Sequence, residues 1–136
     1  MKQVYYDYDV FPKVFLGDRE TTVTVQPLGV NSAFSADKTY TVQVRKVNQG
    51  NPDTYTERSG RTTLSLTPDA DGCLRITAYF EGEGEYYINL CDGDRRFATL
   101  PVYCLAEDMA GRIPQRGDLH LHTCYSDGHD DPVNVV

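Results

Sequence analysis

The chain has 136 residues, 40% of them hydrophobic and 24% charged, and carries a formal net charge of −7. That length holds one domain and a remainder rather than two full domains. The acidic balance excludes a phosphate-tracking nucleic-acid surface, and no apolar run reaches the ~18 residues of a membrane-spanning helix. The basic pairs Arg45-Lys46 and Arg95-Arg96 read as solvated strand ends. The opening MKQVYYDYDV lacks the apolar stretch of a secretory leader, so the expected location is cytoplasmic. There Cys73, Cys91, Cys104 and Cys124 are expected as reduced thiols, three of them on strands, because no CxxC pair or zinc-ribbon spacing occurs.

In chain order, YYDYDV and PKVFL read as one first strand broken around Pro12. TTVTVQPL puts Val23 and Val25 on one face and Thr22, Thr24 and Gln26 on the other. YTVQVRKV sets Tyr40, Val42 and Val44 against Thr41, Gln43 and Arg45. TLSL pairs Leu64 with Leu66. CLRITAYF turns Leu74, Ile76, Ala78 and Phe80 inward and Arg75, Thr77 and Tyr79 outward. EYYINLC turns Tyr86, Ile88 and Leu90 inward. FATLPVYCL is apolar nearly throughout, and Pro101 within it marks an edge or a bulge. Turn-forming stretches such as LGDRE, PLGVNSAFSADK, NQGNPD, PDADG, EGEGE and DGD separate these runs. LAEDMAG, residues 105–111, is expected to make a turn or two of helix ended by Gly111, and RIPQRG reads as a linker.

About seven short strands with frequent turns predict a mainly β protein, an antiparallel sandwich. The EGEGEYY corner resembles the approach to the F strand of immunoglobulin-like domains, where a tyrosine hydroxyl bonds back to the corner. Tyr86 or Tyr87 is placed to play that part.

The remainder is different in kind. GDLHLHTCYSDGHDDP holds all three histidines of the chain. On a strand, His120 and His122 point to the same face ~7 Å apart, so two imidazoles can converge on one metal ion or two neighbouring ions. Leu119 and Leu121 take the opposite face. Gly128 permits a tight turn that brings Asp127 back over the strand end. Asp131 and Pro132 read as N-cap and first position of a helix. Strand, ligand-bearing loop and helix start together spell the first βα unit of an α/β barrel, whose sites lie at the C-terminal ends of strands.

GDLHLHTCYSDG resembles the first motif of the PHP (polymerase and histidinol phosphatase) family, and the TxxSDG continuation sets it apart from the HxH opening of amidohydrolases. The resemblance covers residues 118–136. It implies His120, His122 and Asp127 as metal ligands and Asp118 as a partner behind them. It further implies a cluster of divalent ions (Mn, Zn or Fe) and hydrolysis of a phosphate ester on a small molecule. His129 reads as a loop residue, Asp130-Asp131 as helix-capping charge, Cys124 as a bystander and EGEGE as a solvated turn.

The later motifs of that family are not among the 136 residues. The expectation is therefore an N-terminal immunoglobulin-like sandwich (1–106), a linker (107–117) and the truncated start of a PHP-type barrel (118–136), cut from a longer enzyme and inactive alone. The alternative expectation makes the sandwich itself a binding module for carbohydrate or a protein partner. Tyr5, Tyr6, Tyr8, Tyr79 and Tyr87 would form its recognition patch.

Overall fold

The computed structural model describes residues 7–47 and 61–113. Eight strands run through them: β1 Tyr8–Phe11, β2 Val14–Leu16, β3 Arg19–Pro27, β4 Tyr40–Lys46, β5 Arg61–Leu66, β6 Leu74–Phe80, β7 Gly84–Asp92 and β8 Arg95–Leu105. One sheet has the order β1-β3-β6 and the other β2-β8-β7-β4-β5. All pairings are antiparallel except β2 with β8, which is parallel. A three-stranded sheet packed on a sheet whose second to fourth strands come late, late and early in the chain is an immunoglobulin-like arrangement.

The period-two pattern of the sequence puts the core where it lies. β6 alternates buried and exposed along its whole length, with Leu74, Ile76, Ala78 and Phe80 inside. Val23 and Val25 of β3, Tyr40, Val42 and Val44 of β4, and Ile88 and Leu90 of β7 meet them from the facing strands. Leu64 and Leu66 of β5 are half-buried against this core. Each aliphatic side chain fully buried in this way contributes about 1.5–3 kcal/mol. The outward residues pair across strands, as where Thr22 and Thr77 sit opposite each other with their hydroxyls 2.7 Å apart.

The break expected around Pro12 divides two strands in different sheets: β1 pairs with β3, and past a cis Phe11-Pro12 bond β2 pairs with β8. This split gives eight strands where about seven were expected. Pro101 lies within β8, opposite Tyr87 of β7. Tyr103 N donates towards β2, to Lys13 O at 2.8 Å, and Pro101, two residues earlier, presents its missing N–H on that same side. β2 begins at Val14, opposite Tyr103, and does not reach Pro101, so the proline occupies a local edge and leaves no ladder bond unmade. The bulge in β8 is elsewhere. Leu90 pairs with Ala98 and Cys91 with Arg96, so Phe97 is the extra residue and its ring packs inward on Tyr8 and Tyr40.

The helix expected over 105–111 is a single 3-10 turn, Glu107–Met109, and Gly111 follows at φ +80°. The preceding Ala106 offers no side-chain cap, and Arg19 Nη2 holds Glu107 Oε2 at 2.5 Å, pinning the turn to the start of β3. No helix among the described residues is long and apolar enough to cross a membrane.

Candidate functional site

His120, His122, Asp127 and Asp118 lie outside the described residues, as do His129, Cys124, Tyr5 and Tyr6. Among the described residues no group of three or more His, Cys, Asp or Glu side chains is placed to hold a metal ion. What the described residues offer is a tightly built corner and the surfaces around it.

That corner is built from two stretches that read only as turns. Gly17, in LGDRE, is buried, and a Cβ placed on it would come within 2.0 Å of Gly82 O in EGEGE. Two backbones touch there, and glycine is the residue that lets them. Asp18 follows at φ +55°, a conformation that short polar side chains tolerate. Its N–H donates to Phe80 O at 2.7 Å, and its Oδ1 accepts from Gly82 N at 2.7 Å. Tyr86 completes the knot: its hydroxyl donates to Glu81 O at 2.9 Å and accepts from Glu81 N at 2.8 Å. This is the tyrosine corner, with Tyr86 rather than Tyr87 in the role. Burial raises the phenol pKa of Tyr86.

Lys46 was expected to be a solvated strand end. Instead its Nζ donates to Glu81 O at 2.8 Å and stands 5.8 Å from the centre of the Tyr86 ring. Its neighbour Arg45 sits 5.3 Å from the centre of the Tyr87 ring. Arg95 and Arg96 are exposed at the start of β8, as expected. Glu81 and Glu83 keep their side chains in solvent while the Glu81 backbone is fully engaged.

The proposed tyrosine patch does not assemble from the described residues. Tyr8 is half-buried and stacked on Phe34 at 5.3 Å between ring centres. Tyr79 is exposed on the outer face of the three-stranded sheet, whereas Tyr87 faces outward from the five-stranded one. Sequence alternation tells inside from outside on each strand but not which sheet a strand joins, and this is why the five tyrosines looked like one set.

Among the described residues, two shallow depressions lie on the surface. One, of about 300 Å³, is lined by Asp9, Phe11, Thr24, Gln26 and Arg75 on the outside of the three-stranded sheet. Its cation is already engaged: Arg75 Nε lies 2.6 Å from Asp69 Oδ2, and its Nη2 lies 3.2 Å from Asp71 Oδ2. Hydrogen bonds from the Cys73 and Asp71 amides, together with the Arg75 charge, hold the Asp69 carboxyl below its ordinary pKa against a smaller effect of burial. The other, of about 230 Å³, opens between the edges of β5 and β6 beside Arg61, Tyr79 and Glu81. Neither holds the convergent unpaired polar groups of a small-molecule site.

Cys73, Cys91 and Cys104 are free thiols. Cys91 and Cys104 lie on β7 and β8, and Cys73 falls one residue before β6. Burial pushes the Cys104 thiol up to about 11, so it is a packing residue and not a nucleophile.

No protein-family model matches the sequence, and no curated protein matches it. Among solved structures, the crystal structure of the Lin-41 filamin domain is similar at 16% identity, with 74% of this chain and 92% of that chain covered and a TM-score of 0.47. A likeness that distant carries no functional argument.

Proposed function

We propose that this chain is the N-terminal part of a PHP-type, metal-dependent phosphoesterase. In this reading the sandwich is an accessory domain that leads directly into the first strand of the catalytic barrel. The observation that carries it is the run GDLHLHTCYSDG, in which Asp118, His120, His122, Thr123, Ser126, Asp127 and Gly128 occupy every defining position of that family's opening motif. The described fold supports the division of labour. The last strand of the sandwich ends at Leu105 and the 3-10 turn at Met109, nine residues before Asp118.

The donor set suits the implied ions: two neutral imidazoles and a carboxylate fit Mn, Fe or Zn better than the all-oxygen shell of Mg or Ca. Ions held there supply Lewis acidity at a phosphoryl oxygen. His120, His122 and Asp127 would hold the ions, with Asp118 as the partner that fixes an imidazole behind them. The substrate class is a phosphate ester on a small molecule, and the location is cytoplasmic.

Metal binding by the 136-residue chain tests the ligand assignment. Titration with Mn(II), followed by the loss of its free-ion electron paramagnetic resonance signal, should show weak binding that His120→Ala, His122→Ala and Asp127→Ala each abolish. Binding that survives all three substitutions would assign the metal elsewhere and remove the main support for the barrel.

A further inference from the structure

The outer face of the five-stranded sheet changes character at the end where the chain leaves it. Phe15 packs inward on Phe80, with ring centres 4.8 Å apart, so its neighbours Val14 and Leu16 face outward. Val102 and Cys104 are buried inside, so Tyr103 and Leu105 face outward as well. The parallel register sets Val14 beside Tyr103 and Leu16 beside Leu105. Two short rows of apolar side chains thus form one strip, with Pro101 and Tyr87 continuing it across to β7. Two charged side chains flank it, Glu85 opposite Tyr103 with its Oε1 3.4 Å from the Tyr103 hydroxyl and Arg45 over the Tyr87 ring, and polar residues continue at Asn89, Thr99 and Gln43. An antiparallel sheet with a solvated outer face carries polar residues there, as β3 and β6 do with Thr22, Thr24, Arg75 and Thr77. This strip departs from that rule.

The chain's own course supplies an occupant. β8 ends within the strip at Leu105, Gly17 N caps Leu105 O at 2.9 Å, and the Arg19–Glu107 ion pair holds the following turn at the same end of the sandwich. Tyr103 is 44% exposed, Met109 40% and Ile113 79%, so three large apolar side chains lie in solvent along the last stretch described. From Ile113 another 23 residues run to Val136, and they include Leu119, Leu121, Cys124, Tyr125, Val133, Val135 and Val136. Six residues, from Ile113 to Leu119, span up to about 20 Å, about twice the length of a three-residue strand such as β2.

We propose that the strip formed by Val14, Leu16, Tyr103 and Leu105 is the docking face for residues 114–136 of the same chain. The sandwich then holds the histidine-bearing segment against itself. This inference does not depend on a metal or on the barrel; it needs only the apolar strip and the exit point beside it.

A nitroxide label placed on Cys124 in a Cys73→Ser background tests it on the whole chain, because Cys91 and Cys104 are buried from the reagent. The methyl resonances of Val14, Leu16 and Leu105 should lose most of their intensity. Those of Leu28 and Val30, beyond the far end of β3, should keep theirs. Tyr103→Lys, at an exposed outward position, should restore the lost intensity without lowering the melting temperature. Uniformly weak broadening, or broadening centred on another face, overturns the proposal. So does broadening in a mixture of labelled chains with unlabelled, isotope-enriched ones, which would make a second copy the occupant. A chain that binds Mn(II) without this broadening keeps the functional reading and loses only the docking.

Discussion

The two ends of the sandwich are closed by different physics. At the end where the chain leaves towards the histidines, backbone meets backbone. Gly17 lies against Gly82, the Asp18 amide and carboxylate each bond across the gap, and Lys46 and Tyr86 both converge on Glu81. Phe15 and Tyr86 also pack on Phe80 there, but the larger ring cluster is at the far end: Tyr8, Phe34, Tyr40 and Phe97 lie with centres 5.2 to 5.9 Å apart, and the Tyr40 hydroxyl accepts from Ser35 N. Directional contacts with no slack fix one geometry, whereas ring clusters can repack when volume and apolarity are kept. The difference teaches where precision is needed. The end at which β8 leaves the sandwich is the one locked by main-chain contacts.

Substitutions at each end sharpen that contrast. Gly17→Ala should be the most damaging, because the new methyl meets the Gly82 carbonyl and neither backbone can yield freely. A loss of about 3 kcal/mol in chemical denaturation is expected. Tyr86→Phe keeps the ring on Phe80 but strips both bonds from the Glu81 peptide, and should cost about 2 kcal/mol. Phe34→Leu, at the far end, keeps an apolar side chain of similar reach and should cost about 1 kcal/mol through lost ring contacts. If the far-end substitution proves the costlier, the contrast is wrong.

A further effect appears only above pH 9. Cys104, on β8 near the locked end, has a thiol raised by burial from 9.0 to about 11. The folded state holds that proton more tightly than the unfolded one. Its stabilising contribution is therefore complete below pH 9 and is lost as pH rises through about 11. Melting temperature followed against pH should fall across that window in the parent chain and fall less in Cys104→Ala.

Much of this fold was legible in the sequence because alternation reports burial directly. Every inward position assigned on TTVTV, YTVQV, CLRITAYF and EYYINL lies inside, and the break at Pro12 was visible from its ring chemistry. The knot between LGDRE and EGEGE was not legible. A glycine that admits another backbone and one that merely turns the chain look alike until the two stretches, 65 residues apart at Gly17 and Gly82, are brought together. Lys46 was misread for the same reason, since its partner is a carbonyl that no residue type announces. Asn89 shows the limit of alternation itself: it faces outward by pattern yet is 2% exposed, with its Oδ1 accepting from Thr99 Oγ1 at 2.9 Å. The candidate metal ligands were legible as a motif alone, and they fall outside the described residues.

We propose above that the sandwich serves a metal-dependent phosphoesterase whose first ligands are His120 and His122. The most direct test is hydrolysis of a chromogenic phosphate monoester by the protein with its natural sequence continued past Val136, in the presence of Mn(II) or Zn(II). Turnover that needs the metal, and that His120→Ala and His122→Ala each abolish while the melting temperature of the sandwich stays unchanged, is the predicted result. Turnover that is indifferent to both histidines, or a reading frame that stops at Val136, would contradict the claim and return the function to the sandwich.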